Sequence, residues 1–185
     1  MKNIVSSAII AILLVVLLNA CKKQNIDPLS QLPPATQTGQ NTFACLINGQ
    51  PNVYHDDWNF EGGSSFSVIS SNTYLFIGIY DSSNKPQMGL SIDTVSSINE
   101  GTTYKLSNYN VRGYASGALN YDVFKQDYYT TTANVTGSLT LTKYSNALVN
   151  GYQRMVTSGT FYFNAVNAKG DTVKVTNGRF DLLQQ

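Results

Sequence analysis

Few side chains in this sequence could catalyse a reaction or bind a metal ion. The single histidine, His55, is followed by Asp56 and Asp57, but one imidazole and two carboxylates are too few for a metal centre without distant residues. The two glutamates, Glu61 and Glu100, stand in segments with loop composition, which is weak support for the acid pair that glycoside hydrolysis needs. No serine stands in a nucleophile-elbow pattern. The sequence therefore predicts no enzyme, no metal site and no cofactor.

The strongest chemical signal is a segment, residues 109–129, that is rich in Tyr and Asn. A ring with an apolar face and a polar edge, set beside amides, suits stacking against a sugar or contact with a protein. The alternative is that tyrosine favours strands, where its rings cover the sheet faces of any all-β domain. The residues predicted to contact a ligand are Trp58, Tyr109, Tyr114, Tyr121, Tyr128 and Tyr129.

The composition predicts a folded and nearly neutral protein. Its 185 residues include 12 basic and 11 acidic side chains, and only 12% of the residues are charged. Aromatic residues make up 11% of the chain, so disorder caused by high charge and low hydrophobicity is excluded for most of it. Because nucleic-acid binding depends on clustered positive charge, no nucleic-acid partner is predicted.

The first 21 residues carry the pattern of an export signal. Lys2 precedes an apolar run, residues 4–18, that is shorter than the roughly 20 residues a membrane-spanning helix needs. The run ends in Leu18-Asn19-Ala20-Cys21, which resembles a bacterial lipobox. That resemblance implies cleavage before Cys21, attachment of diacylglycerol to its sulfur, and acylation of the new amino terminus, as by palmitate. A transmembrane anchor and a signal peptide without lipid are the alternatives.

Residues 1–20 are thus predicted to be a lipoprotein signal peptide, and residues 21–41 a lipidated cysteine followed by a flexible tether. Residues 22–41 lack apolar periodicity and hold three of the five prolines, and fully extended they would span about 60 to 70 Å. Lipidation of Cys21 leaves Cys45 without a disulfide partner. Because Cys45 lies in an apolar run, residues 43–47, it is predicted to be a buried and unreactive thiol.

Residues 42–185 are predicted to form one all-β domain, a single antiparallel β-sandwich, with a partly closed β-barrel as the alternative. Short runs rich in Val, Ile, Thr, Tyr and Phe recur about every ten residues between turn-forming residues. Residues 75–79 are apolar at both parities, which places them in the middle of the structure. The predicted strands are residues 42–47, 65–70, 74–80, 87–92, 103–106, 118–124, 135–142, 159–166, 172–175 and 179–183.

Hydrophobic parity predicts how the final strand region is arranged. Val173 and Val175 share one face of a strand, whereas Phe180 and Leu182 have the opposite parity. An uninterrupted strand would therefore place the two pairs on opposite faces. A bulge at Gly178 returns both pairs to one core, and the sequence favours this bulged strand over a tight hairpin.

Both ends of this region resemble a known family. The closing segments SGTFYFNAVN (158–167), GDTV (170–173) and TNGRFDL (176–182) are similar to the end of a family of uncharacterised lipoproteins common in Bacteroidetes. The segment LPPATQTG (32–39) and the first predicted strand resemble the point where those proteins leave their tether. The resemblance leaves the middle of the chain unmatched. It implies export and an all-β fold, and it supplies no catalytic residues because the family is a domain of unknown function.

Two short motifs resemble the acceptor sequence for O-linked glycosylation in exported Bacteroidetes proteins. They are Asp93-Thr94-Val95 and Asp171-Thr172-Val173. Thr94 and Thr172 are therefore predicted acceptors, and Thr172 is the stronger of the two because it lies beside a predicted turn.

The predicted protein is a monomeric, lipid-anchored component of the cell envelope. Its location is the outer membrane, and the surface or periplasmic orientation is left open. The predicted function is non-catalytic binding of a glycan or an envelope protein, on a chain attached to the membrane by its lipid. The alternative is a small envelope hydrolase or a lipid carrier with a barrel cavity.

Overall fold

The structure, a computed structural model, describes residues 26–56, 64–81, 85–120 and 128–184. The predicted signal peptide and Cys21 lie outside the described residues. A 3₁₀ turn, Pro28–Gln31, precedes the strands. The strands are β1 (Thr42–Ile47), β2 (Gln50–His55), β3 (Ser64–Ser70), β4 (Tyr74–Asp81), β5 (Gln87–Asp93), β6 (Thr103–Leu106), β7 (Ala115–Asn120), β8 (Tyr128–Thr130), β9 (Gly137–Val149), β10 (Tyr152–Val166) and β11 (Thr172–Leu183). None of the described residues belongs to a helix long and apolar enough to cross a membrane.

The strands form one sheet in the order β2-β1-β11-β10-β9-β6-β7-β5-β4-β3, and β8 pairs with both β10 and β7. Neighbouring strands are antiparallel except β6 and β7, which pair in parallel through Leu106 and Ala115. The predicted all-β fold is confirmed. The sheet is mixed rather than purely antiparallel because of this one parallel pair.

One face of the sheet encloses a large core. Its aromatic centre consists of Phe43, Phe161, Phe163 and Phe180. Neighbouring rings in this group have centroids 5.0–6.3 Å apart, a spacing at which aromatic pairs attract. Tyr54 of β2 and Ile77 of β4 are fully buried in the same cluster although their strands lie near opposite ends of the sheet. The sheet therefore curves around a single core.

Side chains, rather than a strand ladder, join the edge strand β2 to the segment between β4 and β5. Among the described residues, β2 and β3 share no ladder. Instead, the Tyr54 hydroxyl donates to the carbonyl of Pro86, 2.6 Å away, in the segment before β5. The Lys85 ammonium donates to the carbonyl of Val53, 3.0 Å away, and lies 5.5 Å from the centre of the Tyr54 ring. The sheet is thus folded onto itself without closing as a ladder, which is compatible with both predicted architectures.

The last strand contains the bulge that hydrophobic parity predicts. Phe161 of β10 faces Gly178 and Phe163 faces Val175, so two residues of β11 lie opposite one residue of β10. One of the two, Asn177, has a left-handed φ of 53°, which asparagine tolerates better than most residues. The four side chains that the bulge was predicted to unite, Val173, Val175, Phe180 and Leu182, are all buried in one core. The predicted bulged strand is confirmed, with the two bulged residues at 176–177, directly before the predicted position Gly178, which is in register with Phe161.

A buried carboxylate holds the segment before β1 against β11. Asp181 is only 1% exposed, and a buried charge requires hydrogen-bond partners. Its oxygens accept from the hydroxyls of Thr36 and Ser158, both 2.6 Å away, and from the backbone N–H groups of residues 38–40 at 2.8–3.1 Å. Burial alone would raise the pKa of Asp181, but these hydrogen bonds outweigh burial and hold the pKa below its usual range.

Further contacts fix the beginning of this segment. Leu32 is 8% exposed and packs with Ala44 and Leu46. Arg179 donates to the carbonyl of Pro33, 3.0 Å away. Residues 32–41, which the sequence predicts to be part of a flexible tether, are therefore docked on the sheet in the structure. They show no apolar periodicity because their own backbone N–H and C=O groups make most of the contacts.

Replacement of Asp181 by Asn is expected to destabilise the domain. An amide has one acceptor oxygen and no charge, so several of the buried donors lose their partner, at a cost of about 2 to 4 kcal/mol in the free energy of unfolding. Because the native pKa is depressed, the Asp181 contribution is present above the unfolded-state pKa and is lost as the pH falls through the native pKa. The free energy of unfolding, measured with urea at several pH values across that acid range, should fall more steeply with decreasing pH for the wild type than for the variant.

The matched control is Asp171→Asn, because Asp171 is exposed in the turn before β11. This variant should unfold at nearly the wild-type urea concentration. Equal stabilities of the two variants at neutral pH would contradict the role assigned to Asp181.

Candidate binding groove

The outer faces of β4, β5 and β7 form the candidate site. In β4, Leu75, Ile77 and Ile79 are buried in the core, and the alternate residues face outward. The outward residues are Tyr74, Phe76, Gly78 and Tyr80. The sequence predicted that residues 75–79 lie in the middle of the structure with both faces covered, and this prediction is wrong for the outer face. β4 is one strand from the edge strand β3, and its outer face is open.

The strand register gathers small residues on this face. Gly78 of β4 faces Gly89 of β5, which in turn faces Ala118 of β7. The ring of Phe76 covers the space that this row leaves free. A Cβ added to Gly78 would lie 2.8 Å from a carbon of that ring, and one added to Gly89 would lie 3.4 Å from it. The floor of the site is therefore an aromatic ring resting on glycine backbone.

Tyrosines surround this floor. Tyr74 and Tyr80 come from β4, Tyr109 and Tyr114 from the loop between β6 and β7, and Tyr128 from β8. Their side chains are 37–52% exposed. Floor and rim together form an open groove of about 450 Å³, which we call the aromatic groove. This volume lies within the range of small-molecule sites.

Polar groups stand among the rings. The lining includes the amides of Gln87, Asn110 and Asn120. On the floor, the hydroxyls of Ser91 and Ser116 hydrogen-bond to each other at 2.8 Å. Within the part of the chain that the structure describes, Asp93 is the one lining residue with a carboxylate, and no Lys or Arg lines the groove. The groove therefore offers apolar faces, hydroxyls and amides, with little charge.

The loop that carries Tyr109 and Tyr114 depends on its asparagines for its backbone conformation. Asn108 and Asn110 have φ values of 40° and 56°, in the left-handed region that asparagine enters more readily than most residues. The N–H of Val111 donates to the carbonyl of Asn108, 3.1 Å away. Turn geometry thus explains part of the amide-rich composition, and Asn110 also lines the groove.

The structure brings together half of the side chains predicted to contact a ligand. Those that line the aromatic groove are Tyr109, Tyr114 and Tyr128. Tyr129 is half-buried and packs against the core, because successive side chains of β8 point to opposite faces. Trp58 and Tyr121 lie outside the described residues.

The sequence interpretation missed Tyr74, Phe76 and Tyr80. Their signal is present in the chain as an alternation of aromatic and aliphatic residues from residue 74 to residue 80, with glycine at the third aromatic position. The period of two places the aliphatic residues in the core and the rings outside. Both faces of the strand look buried when aromatic and aliphatic residues are counted together as apolar.

The acidic residues considered for catalysis that the structure describes lie in separate places. Among residues 26–56, 64–81, 85–120 and 128–184, no group of three or more His, Cys, Asp or Glu could hold a metal ion. His55 and Asp56 are exposed at the end of β2, and Asp57 and Glu61 lie outside the described residues. Glu100 accepts from the N–H of Tyr144 at 3.0 Å and from a serine hydroxyl at 2.8 Å. That backbone hydrogen bond, then the serine, lowers the pKa of Glu100.

Cys45 is fully buried in β1. Burial raises its pKa to about 12, so the thiol stays protonated and is a poor nucleophile. The predicted burial of the thiol is confirmed, and its raised pKa supports the prediction that it is unreactive.

The two predicted glycosylation acceptors differ in exposure. Thr172 begins β11 and is exposed. Thr94 is half-buried, and its hydroxyl accepts from the N–H of Ser96, 3.2 Å away. The acceptor role of both residues stays a prediction.

If the motifs are used, Thr172 is expected to carry the glycan in the exported protein, since transfer requires an accessible hydroxyl. Peptide mass spectrometry should find the added mass on the Thr172 peptide, and Thr172→Ala should abolish it. Thr176→Ala, on the same strand but outside the motif, is the control and should leave the mass unchanged. An unmodified Thr172 peptide from native protein would contradict the prediction.

Comparisons with known proteins assign a family to this chain without an activity. No curated protein and no solved structure matches it. The family model described as a domain of unknown function, DUF6252, matches residues 56–182. This match includes the closing strands and the middle of the chain with the aromatic groove, whereas residues 32–49 lie outside it. The chain therefore belongs to the DUF6252 family of domains of unknown function.

Proposed function

We propose that the domain is a non-catalytic module that binds an uncharged glycan in the aromatic groove. The observation that carries the proposal is the Phe76 ring covering Gly78 and Gly89 within a rim of five tyrosines. A sugar ring has apolar C–H faces and polar edges. The C–H faces can pack on aromatic rings, while the sugar hydroxyls hydrogen-bond to the amides and tyrosine hydroxyls of the groove.

The shape and charge of the groove favour a glycan over a protein partner. A stable protein interface buries about 800 Å² on each partner and usually centres on a protruding or well-packed apolar cluster. The aromatic groove is instead a concave site of about 450 Å³. With Asp93 as the one carboxylate and no basic side chain in its described lining, it offers no counter-charge to an acidic polysaccharide.

The same residues support binding rather than hydrolysis or lipid transport. Glycoside hydrolysis uses two carboxyl groups about 5 to 10 Å apart, and the described lining supplies one, from Asp93. A lipid carrier requires an enclosed apolar cavity. The centre of the described core is instead occupied by phenylalanine rings, with Phe43 and Phe161 at a centroid distance of 5.0 Å.

We also propose that the chain is held in the cell envelope, in the outer membrane, by lipid on Cys21. The support is the apolar run of residues 4–18 followed by the lipobox-like sequence. Two or three acyl chains anchor a protein stably, whereas one holds it only marginally. The groove would then capture glycan at a membrane surface.

Loss of one rim tyrosine is expected to weaken glycan binding. Isothermal titration of the mature protein with cello-, malto-, xylo- and chito-oligosaccharides should identify a ligand. Tyr80→Ala and Tyr114→Ala should each reduce its affinity about tenfold, because a stacked ring contributes about 1 kcal/mol or more. Tyr→Phe at the same positions should keep most of the affinity, since the ring remains.

The matched control is Tyr162→Ala, because Tyr162 is 58% exposed on β10, away from the groove. It should bind as the wild type does. Flat titrations with all four neutral glycans, or an equal loss in the control, would contradict the proposal. If the titrations are flat and position 80 cross-links to an envelope protein, the ligand of the groove is a protein and not a glycan.

The anchor is tested by Cys21→Ala, which is expected to move the protein from the membrane fraction to the soluble fraction. Protease treatment of intact cells carrying the wild type then reports its orientation, because a surface domain is cut and a periplasmic one is cut only after the outer membrane is opened. Membrane attachment that persists in Cys21→Ala would refute the lipid anchor.

A further inference from the structure

We infer that the domain rests directly on the membrane that holds its anchor, with the 3₁₀ turn Pro28–Gln31 facing the lipid headgroups. The inference rests on the proposed lipidation of Cys21. It goes beyond glycan binding, because it assigns a lipid surface as the partner of a second and separate surface of the domain.

The first step is that the segment before β1 belongs to the folded domain. Residues 36–40 are held by the Asp181 carboxylate, Pro33 by Arg179, and Leu32 by burial against β1. The 3₁₀ turn contacts β2, and the side chain of Asp27 caps it by accepting from the N–H of Leu29 at 3.0 Å. The chain is therefore fixed from about residue 27 onward.

The second step is the length of chain that remains. Six residues separate Cys21 from Pro28. Fully extended, the chain from Cys21 to Pro28 spans about 25 Å. A flexible chain of this length has a root-mean-square end-to-end distance of about 15 Å. A tether of residues 22–41 would have allowed about 60 to 70 Å. The docked segment thus removes most of the distance by which the domain could stand off from the lipid.

The third step is the chemistry of the surface at this end. Ile26 and Leu29 are 56% and 43% exposed, although both are large and apolar. The carboxylate between them in the chain, Asp27, accepts a hydrogen bond as the cap of the turn. Exposed apolar side chains beside a membrane anchor lose their contact with water when they settle into the headgroup layer.

The register shows which end of the sheet lies away from the membrane. The docked segment runs along β11. Asn41 contacts Leu183, residues 36–40 contact Asp181, and Pro33 contacts Arg179. Followed from residue 41 back to residue 33, the segment therefore leads away from the C-terminal end of β11. The turn between β9 and β10, at residues 150–151, borders Asn41 and Leu183. Leu148, which precedes this turn and is 71% exposed, therefore marks the end opposite the 3₁₀ turn.

The test compares single-cysteine labels at these two ends in the lipidated full-length protein. Leu29→Cys and Leu148→Cys each receive a nitroxide label, while Cys45 stays unlabelled because it is fully buried and its pKa is raised to about 12. The protein is reconstituted into vesicles of phosphatidylethanolamine and phosphatidylglycerol. Collision of each label with a water-soluble nickel complex is measured by electron paramagnetic resonance, in vesicles and in the unlipidated Cys21→Ala background.

Lipid contact should reduce the nickel accessibility at position 29 at least about threefold in vesicles relative to the unlipidated protein, with no change at position 148. An unchanged nickel accessibility at position 29, or an equal reduction at positions 29 and 148, in protein that floats with the vesicles would overturn this inference alone. Protein that fails to float would overturn it together with the proposed anchor. Glycan titration is independent of both outcomes, because the groove does not include these residues.

Discussion

Asp181 places a negative charge where water cannot reach it, and donors from separate parts of the chain take the place of water. Ser158 reaches it from β10, and Thr36 and the backbone of residues 38–40 reach it from the segment before β1. A buried carboxylate is tolerated only while its donors stay in position. One side chain therefore ties the start of the domain to its last two strands. Cys45 is the one cysteine of the described chain and is not in a disulfide, so in the described residues this polar contact, not a covalent bond, joins the two ends of the domain.

A second set of contacts joins the edge strand β2 to the segment between β4 and β5. Lys85 reaches from the segment between β4 and β5 to the carbonyl of Val53 and over the ring of Tyr54. It also lies 3.8 Å from the buried carboxylate of Asp81. The contact thus links the edge strand β2 to the segment between β4 and β5, the two strands that supply much of the floor of the aromatic groove.

Local patterns in the sequence predicted those features that depend on neighbouring residues. The parity of Val173 and Phe180 was enough to favour the bulge in β11, since an uninterrupted strand with a period of two cannot bury both on one face. The aromatic groove could not be predicted in the same way. It depends on Gly78 facing Gly89, a register between two strands, and on the Phe76 ring occupying the space above them. The docking of residues 36–40 was equally hidden, because backbone N–H groups make the contact and every residue except proline has one.

The docked segment also determines how the domain would respond to a mechanical load. A pull on the proposed lipid anchor would reach the contact of the 3₁₀ turn with β2 first, then the packing of Leu32, the Arg179 contact, and the hydrogen bonds to Asp181. These contacts lie in series along the segment, so they would open one after another as the segment peels from β11. About ten residues, with a contour length of roughly 35 Å, would be released before β1 is strained. The segment would thus act as an extensible element that yields before the sheet face with the aromatic groove is deformed.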